Sequence, residues 1–168
     1  MTTIDYDYAR PATIDAVTSG RLSSPAKRLF ASLIDSFLSA AIVTAIYYCF
    51  AGGLTAVLAM QKTFSPLQNL VDTLIGFALF LLLHGYLLAQ RGQTIGKWVC
   101  GIRVVRTDLS KVSLQRIIML REMPLFVIAA IPLPYVSAAL LLLDAVFIFR
   151  SSRQCLHDQV ADTVVVNV

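Results

Sequence analysis

Charge is scarce in this 168-residue chain: 14% of residues are Asp, Glu, Lys or Arg, against 57% hydrophobic. Soluble domains carry about a quarter charged residues, so that balance excludes an ordinary water-exposed domain. Cysteine is scarce too. Cys49, Cys100 and Cys155 are widely spaced and odd in number, so neither a disulfide framework nor a zinc site is readable from them. No Ser/His/Asp spacing, paired-carboxylate site or metal motif rises above chance, and the chain reads as a non-enzyme that needs no cofactor and no metal. Residues 1–24 lack the apolar core of a cleavable signal. They are polar, with Asp5, Asp7 and Asp15, and read as a flexible cytoplasmic tail ahead of one membrane domain over 25–168. A net charge of +4 invites a nucleic-acid reading. The basic residues, however, flank the apolar runs, where the positive-inside rule expects them, and the bilayer is the partner they suit.

What the chain does have is long apolar runs. Ser24-Pro25 is a helix start, a capping hydroxyl followed by proline at the first helical position. Leu29 to Phe50 then supplies roughly 33 Å of helix, enough to cross the hydrocarbon. Asp35 lies inside this run. Its cost of about +3 kcal/mol is met by ten strongly apolar residues at about −0.3 to −0.6 each, so insertion survives. Tyr47 and Tyr48 fall at the far interface. A short loop with Gly52-Gly53 and Lys62 follows. Ser65-Pro66 repeats the start signal for a second span, Leu67 to Ala89, with Asp72 as a solvated acid in its first turn.

The next segment is polar and basic, and Gly92-Gln93-Thr94-Ile95-Gly96-Lys97 reads as a tight turn leaving the second helix. A phosphate loop is excluded, since the glycines are too close and Trp98 stands where Ser or Thr is needed. Lys97 and Trp98 are expected at the inner headgroups, as a surface anchor or an anionic-lipid contact. Two β-branched runs, Ile102–Val105 and Thr163–Val166, are too short to stand alone and are expected to pair on one membrane face.

Leu114 to Phe149 is apolar but carries Arg116, Arg121 and Glu122 early and Pro132-Leu133-Pro134 in its middle. If the prolines reverse the chain, Lys62 is the one Lys or Arg of the 14 left outside. That favours an all-α membrane protein of two full transmembrane helices plus a proline-broken helical hairpin, with a two-stranded cytoplasmic β pair and both termini cytoplasmic. Three spans is the alternative.

Counted at 1.5 Å per residue, Asp35 stands about 10 Å above Arg28, His84 about 10 Å before Arg91, and Asp144 about 9 Å before Arg150. Arg121 and Glu122 fall at the same level. Unpaired charge there is costly, so one shared cluster is expected, with Asp35 paired to Arg28, Arg116 or Arg121. Ser32, Ser36 and Ala40 offer a small-residue stripe for another helix. His157 and Asp158, being adjacent, are expected to point apart, with Asp158 accepting backbone bonds that hold the terminal strand.

These blocks together resemble the RDD family of membrane proteins, named for one arginine and two aspartates. Arg28-Leu29-Phe30-Ala31-Ser32-Leu33-Ile34-Asp35 is similar to its first motif. Gly92 to Lys97 with Gly101–Val105 is similar to its central block, and Arg153 to Asp158 with Thr163–Val166 to its closing one. The second name-giving aspartate corresponds to Asp144 or Asp158. Val160-Ala161-Asp162 departs from the pattern, which more often has glycine before the threonine. The resemblance implies a bacterial inner-membrane protein, often suggested to act in transport, and supplies no substrate. Two readings follow: a transport component using the buried charges as an ion or proton relay, or a non-catalytic adaptor docking a protein partner or a second copy.

Overall fold

The computed structural model describes residues 22–51, 53 and 65–168. The acidic tail residues and Lys62 lie outside the described residues. Helix α1 (Pro25–Ala51) begins at the Ser-Pro signal, with the Lys27 amide donating to Ser24 Oγ at 3.3 Å. Helix α2 (Pro66–Arg91) also begins at its proline, although the Ser65 side chain makes no capping bond. By length and composition, both helices are able to cross a membrane.

Gly92 ends α2 in the left-handed conformation, φ 66°, where its amide donates to Leu88 O. A Cβ here would lie 2.6 Å from the Val104 carbonyl oxygen, so the site suits glycine for shape as well as for dihedral. The chain then makes the short helix α3 (Ile95–Val99) and strand β1 (Ile102–Arg106). β1 pairs antiparallel with β2 (Thr163–Asn167), Ile102 opposite Asn167 and Arg106 opposite Thr163. Leu22 bridges to Val166 and the Ser23 amide donates to Val165 O, so Leu22–Ser24 is stitched to the sheet.

Between the strands the chain climbs away and returns. A helical turn α4 (Leu114–Arg116) widens into a π-helical stretch (Ile117–Glu122) and tightens again into α5 (Met123–Ala129). Pro124 is the physical cause. It has no N–H and its ring crowds the carbonyl four residues back, so the Met123 amide reaches Ile118 O instead. The run then reverses before α6 (Pro134–Val146), which ends in a 3-10 turn at Phe147–Phe149, and helix α7 (Leu156–Val160) leads into β2. A single straight helix through Pro132-Leu133-Pro134 is therefore excluded. Asn69 Nδ2 donates to the Ala129 and Ala130 carbonyls at 3.3 and 3.0 Å, satisfying helix-end acceptors and tying the hairpin tip to the first turn of α2. Phe126 packs against Phe77 and Phe80, centroids 4.8 and 5.7 Å away.

The buried apolar core is not between the long helices. It lies in a cap at the end marked by Arg28 and Arg91, where Ala31, Leu88, Ile102, Val104, Val112, Ile117 and Val165 form one cluster. Farther along, α1 and α2 present Phe37, Phe50, Leu74 and Leu82 fully outward.

Candidate functional site

The cap gathers the ionisable groups into two knots and a cavity. In the first knot, Asp158 is completely buried and faces two guanidiniums. Arg28 donates from Nη2 to its Oδ2, and Arg121 Nη1 lies 2.8 Å from Oδ1. Arg28 also donates to the Arg153 carbonyl, and Arg121 Nη1 reaches Thr163 Oγ1 at 3.4 Å. Asp158 and Cys155 form a reciprocal capping box at the start of α7, with the Cys155 amide donating to Oδ2 at 3.2 Å. One carboxylate thus joins α1, the π stretch, α7 and, through Thr163, the start of β2. Burial alone would raise its pKa. Arg121, His157 and Arg28 outweigh that and hold the carboxyl well below the usual range.

In the second knot, Asp35 binds the turn after α2. Its Oδ1 accepts from the Gly96 amide at 2.7 Å and its Oδ2 from Thr94 Oγ1 at 2.5 Å. Thr94 in turn accepts from the Lys97 amide as the N-cap of α3. The approach is very close: a Cβ on Gly96 would lie 2.1 Å from the Ala31 carbonyl oxygen. His84 is fully buried beside this knot. The Ile95 amide donates to its Nδ1 at 3.3 Å, which leaves the neutral ring's proton on Nε2, 3.9 Å from Asp35 Oδ1.

This corrects the expected pairings. Asp35 holds neither Arg28, Arg116 nor Arg121. Equal height along a helix does not give equal direction around it, and Arg28 faces α7 while Asp35 faces α3. Arg116 lies at the far side of the cap, donating to the Ala161 carbonyl at 3.1 Å and pairing with Asp162 at 3.7 Å. Nor do His157 and Asp158 point apart. Asp158 folds back to cap α7, bringing Oδ1 within 3.5 Å of His157 Nε2. The other ring nitrogen lies 2.6 Å from Asp144 Oδ2, and the His157 amide donates to Asp144 Oδ1 at 2.9 Å. The ring therefore bridges two carboxylates, Asp144 from the hairpin and Asp158 from α7. Asp158 holds the terminal strand through Thr163, not through strand amides.

Between α1, the hairpin and α7 is a cavity of about 480 Å³. Its polar wall includes Lys97, Glu122, Asp144 and His157, and its apolar wall includes Leu125 and Leu141. Lys97 thus lines this cavity. Trp98 beside it is half exposed. Burial and then Arg121 lower the Lys97 pKa. Among the described residues Glu122 pairs with the Arg121 Nε, at 3.4 Å. Ser32 and Ser36 line this cavity, so the small-residue stripe opens space where a helix was expected to pack.

By distance alone Asp144, Cys155 and His157 could hold a metal, with ligand atoms within 4.8 Å of one another. The surroundings oppose a cation, since Arg28 Nη2 is 3.8 Å from the sulfur. Burial and the Asp158 carboxylate push the Cys155 thiol up to about 11.

Cys155 and Asp162 were missed as structural keys. The Cys-x-x-Asp spacing at a helix start was the available signal for the first. Asp162 has φ 52° and accepts from Thr107 and Arg106, which explains an aspartate where the pattern more often has glycine.

Of the two aspartates left open by the sequence, Asp158 is the one that Arg28 grips. No curated protein and no solved structure matches the chain. The RDD family model does match, from the sheet-bridging Leu22 through the turn before β2 (residues 22–162), and the chain belongs to the RDD family.

Proposed function

We propose that the chain is a multipass protein of the bacterial inner (plasma) membrane, with both termini cytoplasmic, and that it is a transport component and not an enzyme. Membrane residence is supported by the two long helices, whose outward apolar side chains would be a severe liability in water. The hairpin tip, tied to the first turn of α2, supports a reversal near the opposite face and returns Arg150 and Arg153 to the side of Arg28.

One observation carries the transport reading: a cavity beside the buried charges in which Glu122, Asp144, His157 and Lys97 share one space. Ionisable groups at such depth are expected to line a path or a site. In this reading the two knots are the frame. Arg28–Asp158–Arg121 is saturated and Asp35 is spent on backbone capping, so Glu122 and the Asp144–His157 pair are left to exchange protons with a passing ion. The test is flux in vesicles under an imposed gradient, with melting temperature measured alongside. Glu122→Gln and Asp144→Asn are expected to abolish flux, and Glu122→Gln to do so without loss of melting temperature. Full flux from both at equal abundance would sink the relay.

The saturation of the first knot also suits a second reading, a non-catalytic adaptor in which the buried pairs serve folding alone. A stoichiometric protein partner recovered by crosslinking in intact membranes, together with absent flux, would favour that reading.

A further inference from the structure

Most described cations in this chain are engaged. Arg28 and Arg121 hold Asp158, Arg106 and Arg116 hold Asp162, and Arg153 donates to Leu22 O. Lys27 reaches Asn167, Lys97 reaches Thr94, and Arg150 lies over the Phe147 ring. Among the described residues three are left with no ion pair, side-chain hydrogen bond or cation–ring contact: Arg91, Arg103 and Lys111. All three are exposed, and all three line one concavity of about 470 Å³ beneath the last turn of α2. No acidic side chain among the described residues lines it. Three like charges around one concavity repel one another, and an anion held among them would relieve that repulsion.

A second feature says what sort of anion. Gln90, at the rim of the concavity, is one and two turns below Tyr86 and Leu82 on the same helix face. Both are strongly exposed, 76% and 79%. A basic concavity thus adjoins, along one face of α2, two exposed side chains with large apolar surfaces, the arrangement that an amphiphile with an anionic head would suit. We infer that this concavity binds the phosphate headgroup of an anionic phospholipid, with Arg91, Arg103 and Lys111 as its ligands and the acyl chains along Leu82 and Tyr86. Guanidiniums suit the forked geometry of phosphate oxygens, and the ammonium adds a mobile point charge. Basic recesses at the cytoplasmic ends of membrane helices are suited to such headgroups. The inference rests on the membrane reading above, since it needs the end of α2 to lie at the headgroup level.

The test uses the full chain in nanodiscs of phosphatidylcholine with or without phosphatidylglycerol. Melting temperature is read in each, and lipid retained after extraction is counted by native mass spectrometry. Phosphatidylglycerol is expected to raise the melting temperature and to be retained over phosphatidylcholine. Arg103→Gln and Lys111→Gln should each weaken that retention about fivefold, in line with roughly 1 kcal/mol per surface cation, while melting in pure phosphatidylcholine stays unchanged. Retention equal for the two lipids, or unaffected in the double variant, overturns the inference. Glycerol phosphate or inorganic phosphate giving the same stabilisation without lipid overturns the lipid assignment in favour of a free anion. Binding of a short RNA that the double variant loses, with no lipid preference, likewise overturns it. Alkaline carbonate separates the two readings: a chain that washes off membranes fails the membrane reading, while one that stays embedded without lipid preference fails only this inference.

Discussion

Asp158→Asn keeps the shape of the most buried carboxylate in the cap and removes its charge. Asp158 is fully buried against Arg28, itself 6% exposed, and Arg121, 3% exposed. After the substitution the two guanidiniums face one neutral amide oxygen and an NH2 group instead of two carboxylate oxygens, Arg28 keeping the Arg153 carbonyl and the Cys155 sulfur and Arg121 keeping Glu122 and the Thr163 hydroxyl. Breaking a buried pair from one side costs about 3–5 kcal/mol, because the remaining charge stays buried without its partner. For a chain of this size each kcal/mol moves the melting temperature by about 2–4 °C, so a fall of roughly 6–20 °C is expected. The assay is thermal unfolding in mild detergent, followed by far-UV circular dichroism and by protection of the cap from protease. A cycle with Arg28→Met isolates the pair, and the double variant should recover about 0.5–3 kcal/mol relative to the sum of the single ones. A melting temperature for Asp158→Asn within a degree or two of wild type would refute the claim that this knot locks the cap.

Four further outcomes are expected. Gly96→Ala should destabilise by about 3 kcal/mol or more, since the new methyl meets the Ala31 carbonyl and displaces the Asp35 bond to the Gly96 amide. Gly85→Ala, with open space around it, should be neutral or slightly stabilising in the same melts. The pH dependence follows from the lowered pKa of Asp158. Its contribution is fully present above the ordinary carboxylate value of 3.8 and is lost as pH falls below it toward the depressed folded value. Wild type should therefore lose cap stability below about pH 4, and Asp158→Asn should show a flatter acid limb in stability titrations. Asp162→Ala should cost about 1 kcal/mol more than Asp162→Gly in chemical denaturation, because both lose the Arg106 and Thr107 bonds but only glycine relaxes at φ 52°.

Much of the architecture was legible because it depends on strong local signals. The two Ser-Pro starts, the glycine closing α2, the paired β-branched runs and the reversal near Pro132-Leu133-Pro134 each follow from one or two residues whose backbone preferences admit few alternatives. The site was legible in its members more than in its connections. Arg28, Asp35, His84, Arg121 and Asp144 were singled out by charge in an apolar context, and Asp158 by the resemblance of the closing block. Which faced which was not readable, for a rise per residue fixes height but leaves the angle around the axis to tertiary packing. The role of Asp35 depended on α3, only five residues long and too short to show a period. The π stretch was hidden as well, since Pro124 marks a disturbance without saying whether the helix kinks, stops or widens.

The strand that closes the sheet leaves the ribosome well after its partner, with the whole hairpin made in between. Until residues 153–166 are made, Leu22 has no bridge and Arg28 has no Asp158, while Asp35 can already hold the Thr94–Gly96 turn. The Arg28–Asp158–Arg121 knot therefore closes only after α1 and the hairpin have been made. A chain cut short before Asp158 would leave two guanidiniums without a counter-charge, a flaw that a membrane protease could recognise.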